Sequence, residues 1–205
     1  MRDFRWRLTE RLVADRVIGI IRAPSAETAV TYGRRLSAAG LAAVEVSLST
    51  PGALAAVREL ATGALVGAGT VLDAVQAGMA IEAGARFLVC PTLDADVIRA
   101  GHRHGVPVVA GASTPTEIVR ALEAGADLVK LFPATQSSPQ ALRDILQALP
   151  QAPIVPTGGI STATAPEWIA AGAVAVGIGG ELTRGAPREA PSRVHGLLAA
   201  LRAAR

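Results

Sequence analysis

A single lysine stands in the middle of an apolar run. The chain of 205 residues contains 20 lysines and arginines together, and Lys130 is the only lysine among them. Lysine can lose its proton where water is excluded and then attack a carbonyl carbon, whereas an arginine guanidinium keeps its charge. The sequence therefore favours Lys130 as a nucleophile that forms a Schiff base. The alternative is a lysine that extends from a strand end into solvent.

A carboxylate occupies a second apolar run. Glu45 lies within residues 43–48, whose other members are Ala, Val, Ser and Leu. A buried acid that faces a buried amine can move protons to and from a substrate, and such pairs concentrate at functional sites. The pattern favours Glu45 as a proton shuttle for Lys130. A structural ion pair is the alternative.

Glycines follow the last two apolar runs of the chain. Thr157, Gly158 and Gly159 come after one run, and Gly179 and Gly180 come after the next. In a parallel barrel the loops after the last strands commonly bind phosphate through backbone N–H groups. Tight turns also require glycine. The pattern therefore indicates a phosphate site, with ordinary turns as the alternative.

The elements that must position these residues alternate along the chain. Eight short apolar runs predict strands, and the stretches between them, rich in Ala, Leu, Arg and Glu, predict helices. The predicted strands are residues 17–22, 43–48, 64–69, 86–90, 106–111, 127–132, 153–157 and 174–179. Eight strand–helix units predict an α/β fold, a (β/α)₈ TIM barrel, formed by residues 1–205 as a single domain. Residues 1–7 predict an amphipathic N-terminal helix that covers one end of the barrel.

Capping residues and glycines mark the predicted helix ends. Ser, Thr or Asp residues before helical stretches are expected to cap the helix or to form the turn that opens it: Ser25, Asp73, Asp94, Thr114, Ser138 and Thr162. Glycines that precede a predicted strand are expected to end helices in the left-handed conformation: Gly40, Gly84, Gly125 and Gly172.

Composition excludes several functional classes. The net charge is +3, but the arginines are dispersed and aromatic residues make up 3% of the chain, so we expect no nucleic-acid partner. No apolar run approaches the roughly 20 residues that a membrane helix needs. The first residues lack a signal core, and Cys90 is the only cysteine, so we expect a cytoplasmic protein in which Cys90 is a buried hydrophobe. His102 and His104 point in different directions on a helix, and we expect no metal.

Four motifs together resemble one enzyme family. They are residues 44–46 (VEV), 67–72 (GAGTVL), 130–134 (KLFPA) and 156–160 (PTGGI). In this order they resemble the 2-keto-3-deoxy-6-phosphogluconate (KDPG) aldolases, a family that includes the 4-hydroxy-2-oxoglutarate (KHG) aldolases. The similarity extends from about residue 10 to residue 185. It implies a class I aldolase that cleaves a 2-keto-4-hydroxy acid to pyruvate and an aldehyde, glyceraldehyde 3-phosphate or glyoxylate.

The resemblance also implies roles for individual residues. The pyruvate Schiff base would form on Lys130, and Glu45 would be the general acid/base. Three residues would line the pyruvate pocket: Thr70, Pro91 and Phe132. Thr157 would recognise substrate hydroxyl groups. The family further implies a homotrimer. We expect no cofactor or metal, because the iminium ion formed on Lys130 would do the electrophilic work.

The sequence departs from the family pattern at two places. Many members carry an arginine that binds the substrate carboxylate where this chain has Ser49, and Arg22 could perform that task here. The serine that helps to bind phosphate is replaced by Gly180 or Glu181, and a carboxylate at this position would repel a phosphate dianion. The sequence is therefore compatible with a phosphorylated substrate and with an unphosphorylated one.

Two other functions are compatible with the same residues. A phosphosugar isomerase or decarboxylase would use Lys130 as an acid and Glu45 as a base without a covalent intermediate. A barrel without activity would act as an oligomeric scaffold or metabolite sensor. Borohydride with pyruvate would label Lys130 in an aldolase but not in the isomerase or decarboxylase. Turnover of a keto acid would distinguish an aldolase from the barrel without activity.

Overall fold

Eight parallel strands form the sheet of the computed structural model, which describes residues 4–184 and 187–204. The strands are β1 (Val17–Ile21), β2 (Ala43–Ser47), β3 (Leu65–Gly69), β4 (Leu88–Val89), β5 (Val108–Ala112), β6 (Leu128–Leu131), β7 (Ile154–Pro156) and β8 (Val176–Ile178). From β1 to β7 each strand pairs with its sequence neighbours, and β8 pairs with β1. A parallel bridge between Thr157 and Gly177 joins the two ends of the sheet. The predicted (β/α)₈ barrel is confirmed.

Helices follow the strands on the outside of the barrel. The described helices are α1 (Arg5–Val13), α2 (Ala26–Ala38), α3 (Ala53–Leu60), α4 (Ala74–Glu82), α5 (Ala95–Arg103), α6 (Pro115–Glu123), α7 (Pro139–Ala148), α8 (Ala165–Ala170), α9 (Gly180–Thr183) and α10 (Ala190–Ala203). The short α9 lies between β8 and α10, where the sequence analysis predicted no separate helix.

Several strands are shorter than predicted, and the cause is local. Pro107 and Pro153 lack the N–H group that a strand ladder uses, so β5 begins at Val108 and β7 at Ile154. The run at 86–90 forms only the two-residue strand β4, which ends shortly before Pro91. Hydrophobic pattern predicts burial, whereas strand boundaries depend on which backbone groups find partners.

Five of the six predicted capping or turn residues cap a helix, and the sixth lies in a turn. The side chains of Ser25, Asp73, Asp94, Thr114 and Ser138 accept hydrogen bonds from the first turns of their helices. Thr162 lies in the turn that precedes α8, whose N-cap is Thr164, and its hydroxyl and N–H donate to Glu181. The four helix-ending glycines all have positive φ angles, as predicted.

The core has two layers, and α1 covers the inner one. Apolar side chains between the strands and the outer helices form the larger layer. Inside the barrel, at the amino ends of the strands, residues such as Phe87, Val109 and Val155 pack against Leu8 and Leu12 of α1. The predicted helix at one end of the barrel is confirmed from Arg5 onward, whereas residues 1–3 lie outside the described residues.

Polar contacts attach α1 to the barrel. Arg5 forms an ion pair with Asp127, which precedes β6, and also contacts the ring of His102 at 2.8 Å. Asp127 in turn accepts hydrogen bonds from the Val108 N–H, and His102 lies 3.1 Å from its carboxylate. His102 therefore belongs to the contacts that hold α1 at this end of the barrel. Within residues 4–184 and 187–204, no three His, Cys, Asp or Glu side chains are grouped as metal ligands, and no helix is long and apolar enough to span a membrane.

Candidate active site

A cavity of about 420 Å³ opens at the carboxyl ends of the strands. This is the end at which barrel enzymes place their catalytic groups. All eleven site residues predicted from the sequence line it: Arg22, Glu45, Thr70, Pro91, Lys130, Phe132, Thr157, Gly158, Gly159, Gly179 and Gly180. The closure of the barrel thus brings together residues that are up to 158 positions apart in the chain.

Lys130 extends into this cavity from the interior of the barrel wall. It lies on β6 between its register partners Gly111 on β5 and Val155 on β7. The side chain is only 6% exposed, so it does not extend into solvent as the alternative interpretation would require. Its Nζ atom lies 4.7 Å from the centre of the Phe132 ring, a distance at which a protonated amine is attracted to the ring face.

Glu45 enters the same cavity from β2. It is 3% exposed and pairs in register with Gly67 on β3. A side chain at Gly69, the last residue of β3, would overlap the Glu45 carboxylate, so this glycine provides the space into which the carboxylate extends. The position therefore requires a residue without a Cβ atom for steric reasons.

The electrostatic environment of Glu45 suits proton transfer. Burial raises the pKa of Glu45 above its ordinary value, while the charges of Lys130 and Arg22 partly oppose that shift. Among the described residues, Glu45 and Lys130 line one cavity without forming a direct salt bridge. A structural ion pair would bring the charged groups into contact. Within the described residues the contacts therefore give no support to a structural ion pair between these two side chains.

Hydroxyl groups link Arg22 to Thr70 at one side of the cavity. The Arg22 Nε–H donates to Ser49 Oγ at 3.2 Å, and Ser49 Oγ lies 2.8 Å from Ser47 Oγ. Ser47 Oγ lies 2.8 Å from Thr70 Oγ1. The sequence analysis named Arg22 and Thr70 but assigned no role to Ser47, because the buried hydroxyl that joins them is visible only in three dimensions.

The glycine loop after β7 packs against the β6 loop. Gly158 and Gly159 have φ angles of 96° and 77°, in the left-handed region. A Cβ at Gly158 would press on the Phe132 ring, and one at Gly159 would overlap Thr135. Thr157 is buried and its hydroxyl donates to the carbonyl of Val155 at 3.3 Å. The left-handed backbone favours glycine at both positions, and at Gly159 the overlap with Thr135 excludes a Cβ as well.

Three polar residues of the cavity were not predicted to bind substrate: Ser161, Glu181 and Arg184. Both carboxylate oxygens of Glu181 accept hydrogen bonds from Thr162, one from its N–H at 2.9 Å and one from its hydroxyl at 2.7 Å. Arg184, directly after α9, adds a positive charge to the same wall. In the sequence, Arg184 could have been found from its position shortly after the eighth apolar run, since residues that follow barrel strands lie at the active-site end.

The backbone of α9 is held by a side chain from α10. Arg193 donates to the carbonyl of Glu181 at 3.0 Å and to the carbonyl of Arg184 at 2.7 Å. These two hydrogen bonds attach α9 and the residue after it to α10. Arg193 supports the cavity wall without lining the cavity.

Cys90 takes no part in this chemistry. Its side chain is buried in the outer core layer, as predicted. Burial raises the pKa of the Cys90 thiol to about 12. A thiol with this pKa stays protonated at neutral pH and is a poor nucleophile.

The arrangement can carry out one kind of reaction particularly well. A buried amine, a buried carboxylate and a guanidinium line one cavity, together with the glycines of two loops and Arg184. The amine can bind a ketone carbon covalently, the carboxylate can move protons, and the cations can hold anionic groups of the substrate.

Comparison with known proteins identifies relatives that share this arrangement of elements. The family model described as "Aldolase: KDPG and KHG aldolase" matches residues 8–190. The chain is 39% identical to the 2-dehydro-3-deoxy-phosphogluconate aldolase of Treponema pallidum over 166 residues, which are 78% of this chain and 79% of that protein. It is 33% identical to the KHG/KDPG aldolase of Escherichia coli over 174 residues, 83% of this chain and 82% of that protein.

A solved structure is also similar over the whole chain. KDPG aldolase from Legionella pneumophila, with pyruvate captured as a covalent carbinolamine intermediate, superimposes with a TM-score of 0.78. The match covers 100% of this chain and 99% of that chain at 28% identity. Fold, family model and sequence identity agree: the chain belongs to the KDPG and KHG aldolase family.

Proposed function

We propose that this protein is a class I aldolase that cleaves a 2-keto-4-hydroxy acid to pyruvate and an aldehyde. The observation that carries the proposal is the placement of Lys130, the only lysine, in one cavity with Glu45. The named activities of its relatives and the carbinolamine captured in the Legionella enzyme support the same chemistry.

The reaction begins with covalent capture of the ketone. The neutral Nζ of Lys130 adds to C2 of the substrate and forms a carbinolamine. Glu45 gives a proton to the departing hydroxyl, water leaves, and an iminium ion forms between C2 and Nζ. This cation draws electrons from the neighbouring bonds and so prepares the C3–C4 bond for cleavage.

Cleavage follows from one proton transfer. The Glu45 carboxylate takes the proton of the C4 hydroxyl, whose O–H electrons form the aldehyde C=O. The electrons of the C3–C4 bond move to C3 and C2 and neutralise the iminium nitrogen as an enamine. Protonation at C3 and addition of water then release pyruvate and restore the amine of Lys130.

The proposal is tested by reduction in the presence of pyruvate. Borohydride should reduce the imine to a stable amine and give a mass-shifted peptide that contains Lys130. A set of phosphorylated and unphosphorylated 2-keto-4-hydroxy acids should release pyruvate. Turnover without any reducible adduct would instead indicate an isomerase or decarboxylase that uses Lys130 as an acid.

We further propose that the substrate carries a phosphate at its far end. Glycines of the two loops and Arg184 line that part of the cavity, and their backbone N–H groups and guanidinium are the donors that would bind phosphate. The Glu181 carboxylate was expected to repel phosphate. Both of its oxygens accept hydrogen bonds from Thr162, which reduces the negative charge that it presents to a ligand. Arg184 supplies a compensating positive charge on the same wall.

Removal of the Arg184 side chain should therefore reduce phosphate preference. In Arg184→Ala we expect kcat/KM to fall about tenfold for a phosphorylated substrate and little for an unphosphorylated one, since one charge-assisted contact is lost. Arg184→Lys should retain part of the effect, and Arg202→Ala, at an exposed position on α10, should have none. Equal kcat/KM for both substrates in the wild type would refute the phosphate site and favour a short substrate such as 4-hydroxy-2-oxoglutarate.

We also propose that the protein assembles as a homotrimer. An exposed apolar strip runs along α4 and consists of Leu72, Val75 and Met79. Leu72 directly precedes the N-cap of this helix, and Val75 is 72% exposed. Met79 also lines a shallow cleft with Leu48 and Leu54 near α3. An apolar patch of this kind on a protein surface is typical of an interface with another chain.

Charge placed on this strip should disrupt the assembly. We expect light scattering to give three times the chain mass for the wild type and a lower mass for Val75→Arg, because an interface excludes an unpaired buried charge. Trp6→Arg, which changes an exposed apolar residue on α1, is the matched control and should leave the mass unchanged. A wild-type mass equal to that of one chain would contradict the homotrimer.

The proposed location of the enzyme is the cytoplasm. The only cysteine, Cys90, is a free and buried thiol, so the chain contains no internal disulfide. Proteins without disulfides are typical of reducing compartments.

A further inference from the structure

We infer that Ser49 and Ser47 are positioning residues that join Arg22 and Thr70 into one binding unit for the carboxylate of the 2-keto acid. The inference rests on the proposed aldolase function. It assigns a role to two serines that lie outside the cavity lining and touch no catalytic group. They act only through the two residues that they connect.

The four side chains connect three neighbouring strand ends. Arg22 follows β1, Ser47 ends β2 and Thr70 follows β3. The contacts run from Arg22 Nε to Ser49 Oγ at 3.2 Å, to Ser47 Oγ at 2.8 Å, and to Thr70 Oγ1 at 2.8 Å. An unbroken series of hydrogen bonds therefore joins a cationic residue at the rim to a hydroxyl in the cavity wall.

The middle of this series is rigid. Ser47 is fully buried, and its Oγ also accepts a hydrogen bond from the Ser49 N–H at 3.4 Å. Thr70 has a φ angle of 60°, a left-handed conformation that β-branched residues rarely adopt. Such a conformation persists only where surrounding contacts determine it, and the hydrogen bond to Ser47 is one of these contacts.

The chemistry of the first residue gives the series a direction. A guanidinium can only donate hydrogen bonds, so Ser49 accepts from Arg22 and becomes a better donor toward Ser47. The same polarisation passes from Ser47 to Thr70, whose own proton is then directed into the cavity. Thr70 therefore offers a hydrogen-bond donor, as an anion requires.

The carboxylate of a 2-keto acid matches this arrangement. Arg22 uses Nε for Ser49, and within the described residues its two Nη nitrogens make no other hydrogen bond. These nitrogens can donate to the carboxylate from one side, and the Thr70 hydroxyl can donate to it from the other. Both residues line the cavity that contains Lys130, so a carboxylate held there would place the adjacent ketone toward the amine.

The experiment replaces the exposed serine, whose loss should not affect folding. In Ser49→Ala we expect KM for the keto acid and the half-saturating pyruvate concentration for borohydride trapping to rise about tenfold, the effect of one contact to a charged group. The value of kcat should change less than about twofold, since chemistry on bound substrate is untouched. Ser49→Thr, which keeps the hydroxyl, should restore KM, and Ser37→Ala, which removes a hydroxyl without a partner on α2, should leave it unchanged.

A double variant tests whether Ser49 acts through Arg22. Adding Ser49→Ala to Arg22→Ala should not raise KM beyond the value for Arg22→Ala alone, because the group that Ser49 positions is already absent. Additive effects, or an unchanged pyruvate dependence in Ser49→Ala, would overturn the inference while trapping itself still succeeds. Failure of the wild type to trap pyruvate at any concentration would overturn the proposed function, and this inference with it.

Discussion

Replacing Lys130 with arginine is expected to abolish aldolase turnover while the barrel stays folded. The variant keeps a positive charge beside the Phe132 ring but loses the only side chain that can become a neutral amine in the cavity. We expect kcat to fall by more than about three orders of magnitude, because no other group can form the covalent intermediate. Steady-state pyruvate release gives the rate, and circular dichroism checks the fold.

The same variant gives a direct test by mass spectrometry. Lys130 is the only lysine, so the wild-type adduct with pyruvate should appear on a single side chain and be absent from Lys130→Arg. Lys130→Met serves as a second variant, because it removes the amine without adding the bulk of a guanidinium. Retention of a tenth of wild-type kcat in either folded variant (a change of about 1.4 kcal/mol in the barrier) would exclude the Schiff base.

The second large effect is expected for Glu45→Gln. The amide keeps the shape of the side chain but cannot take the C4 hydroxyl proton. We expect kcat to fall by about two to four orders of magnitude, the range usual for a lost general acid or base. Pyruvate trapping should become slower but remain detectable, since Lys130 is unchanged. Glu82→Gln, at an exposed position on α4, is the matched control and should leave kcat unaltered.

The pH profile should distinguish the wild type from this variant. Burial raises the pKa of Glu45, and cleavage requires its ionised form, so kcat should fall as the pH drops through this raised pKa. The acidic limb should be absent in Glu45→Gln.

Stability should respond in the opposite direction. A carboxyl whose pKa is raised on folding contributes stability below its unfolded pKa, and that contribution is lost as the pH rises through the folded value. Glu45→Gln should therefore melt at the same temperature as the wild type or higher at neutral pH. A lower Tm with unchanged kcat would show that Glu45 serves only as a structural counter-ion.

Residue types and hydrophobic pattern were sufficient to predict the barrel and to name residues that the fold brings into one cavity. Arginine occupies every cationic position except 130, and Lys130 and Glu45 both interrupt apolar strands. A charge in a strand that is buried on both faces is costly unless neighbouring groups compensate it, so such residues indicate a site. Strand boundaries were predicted less well, because prolines such as Pro107 shorten a ladder without changing its apolar pattern.

The contacts that tune the site depend on which strand ends become neighbours. A carboxylate at Glu181 was expected to repel phosphate, yet the fold pairs Glu181 with Thr162 across the β7 and β8 loops. The hydroxyl series through Ser47 and the space that Gly69 leaves for Glu45 arise in the same way. Sequence by itself determined which residue types stand at which strand ends, because burial and periodicity are local properties. Only the tertiary structure decided which of them touch, because a hydrogen bond depends on distances that closure of the barrel sets between residues far apart in the chain.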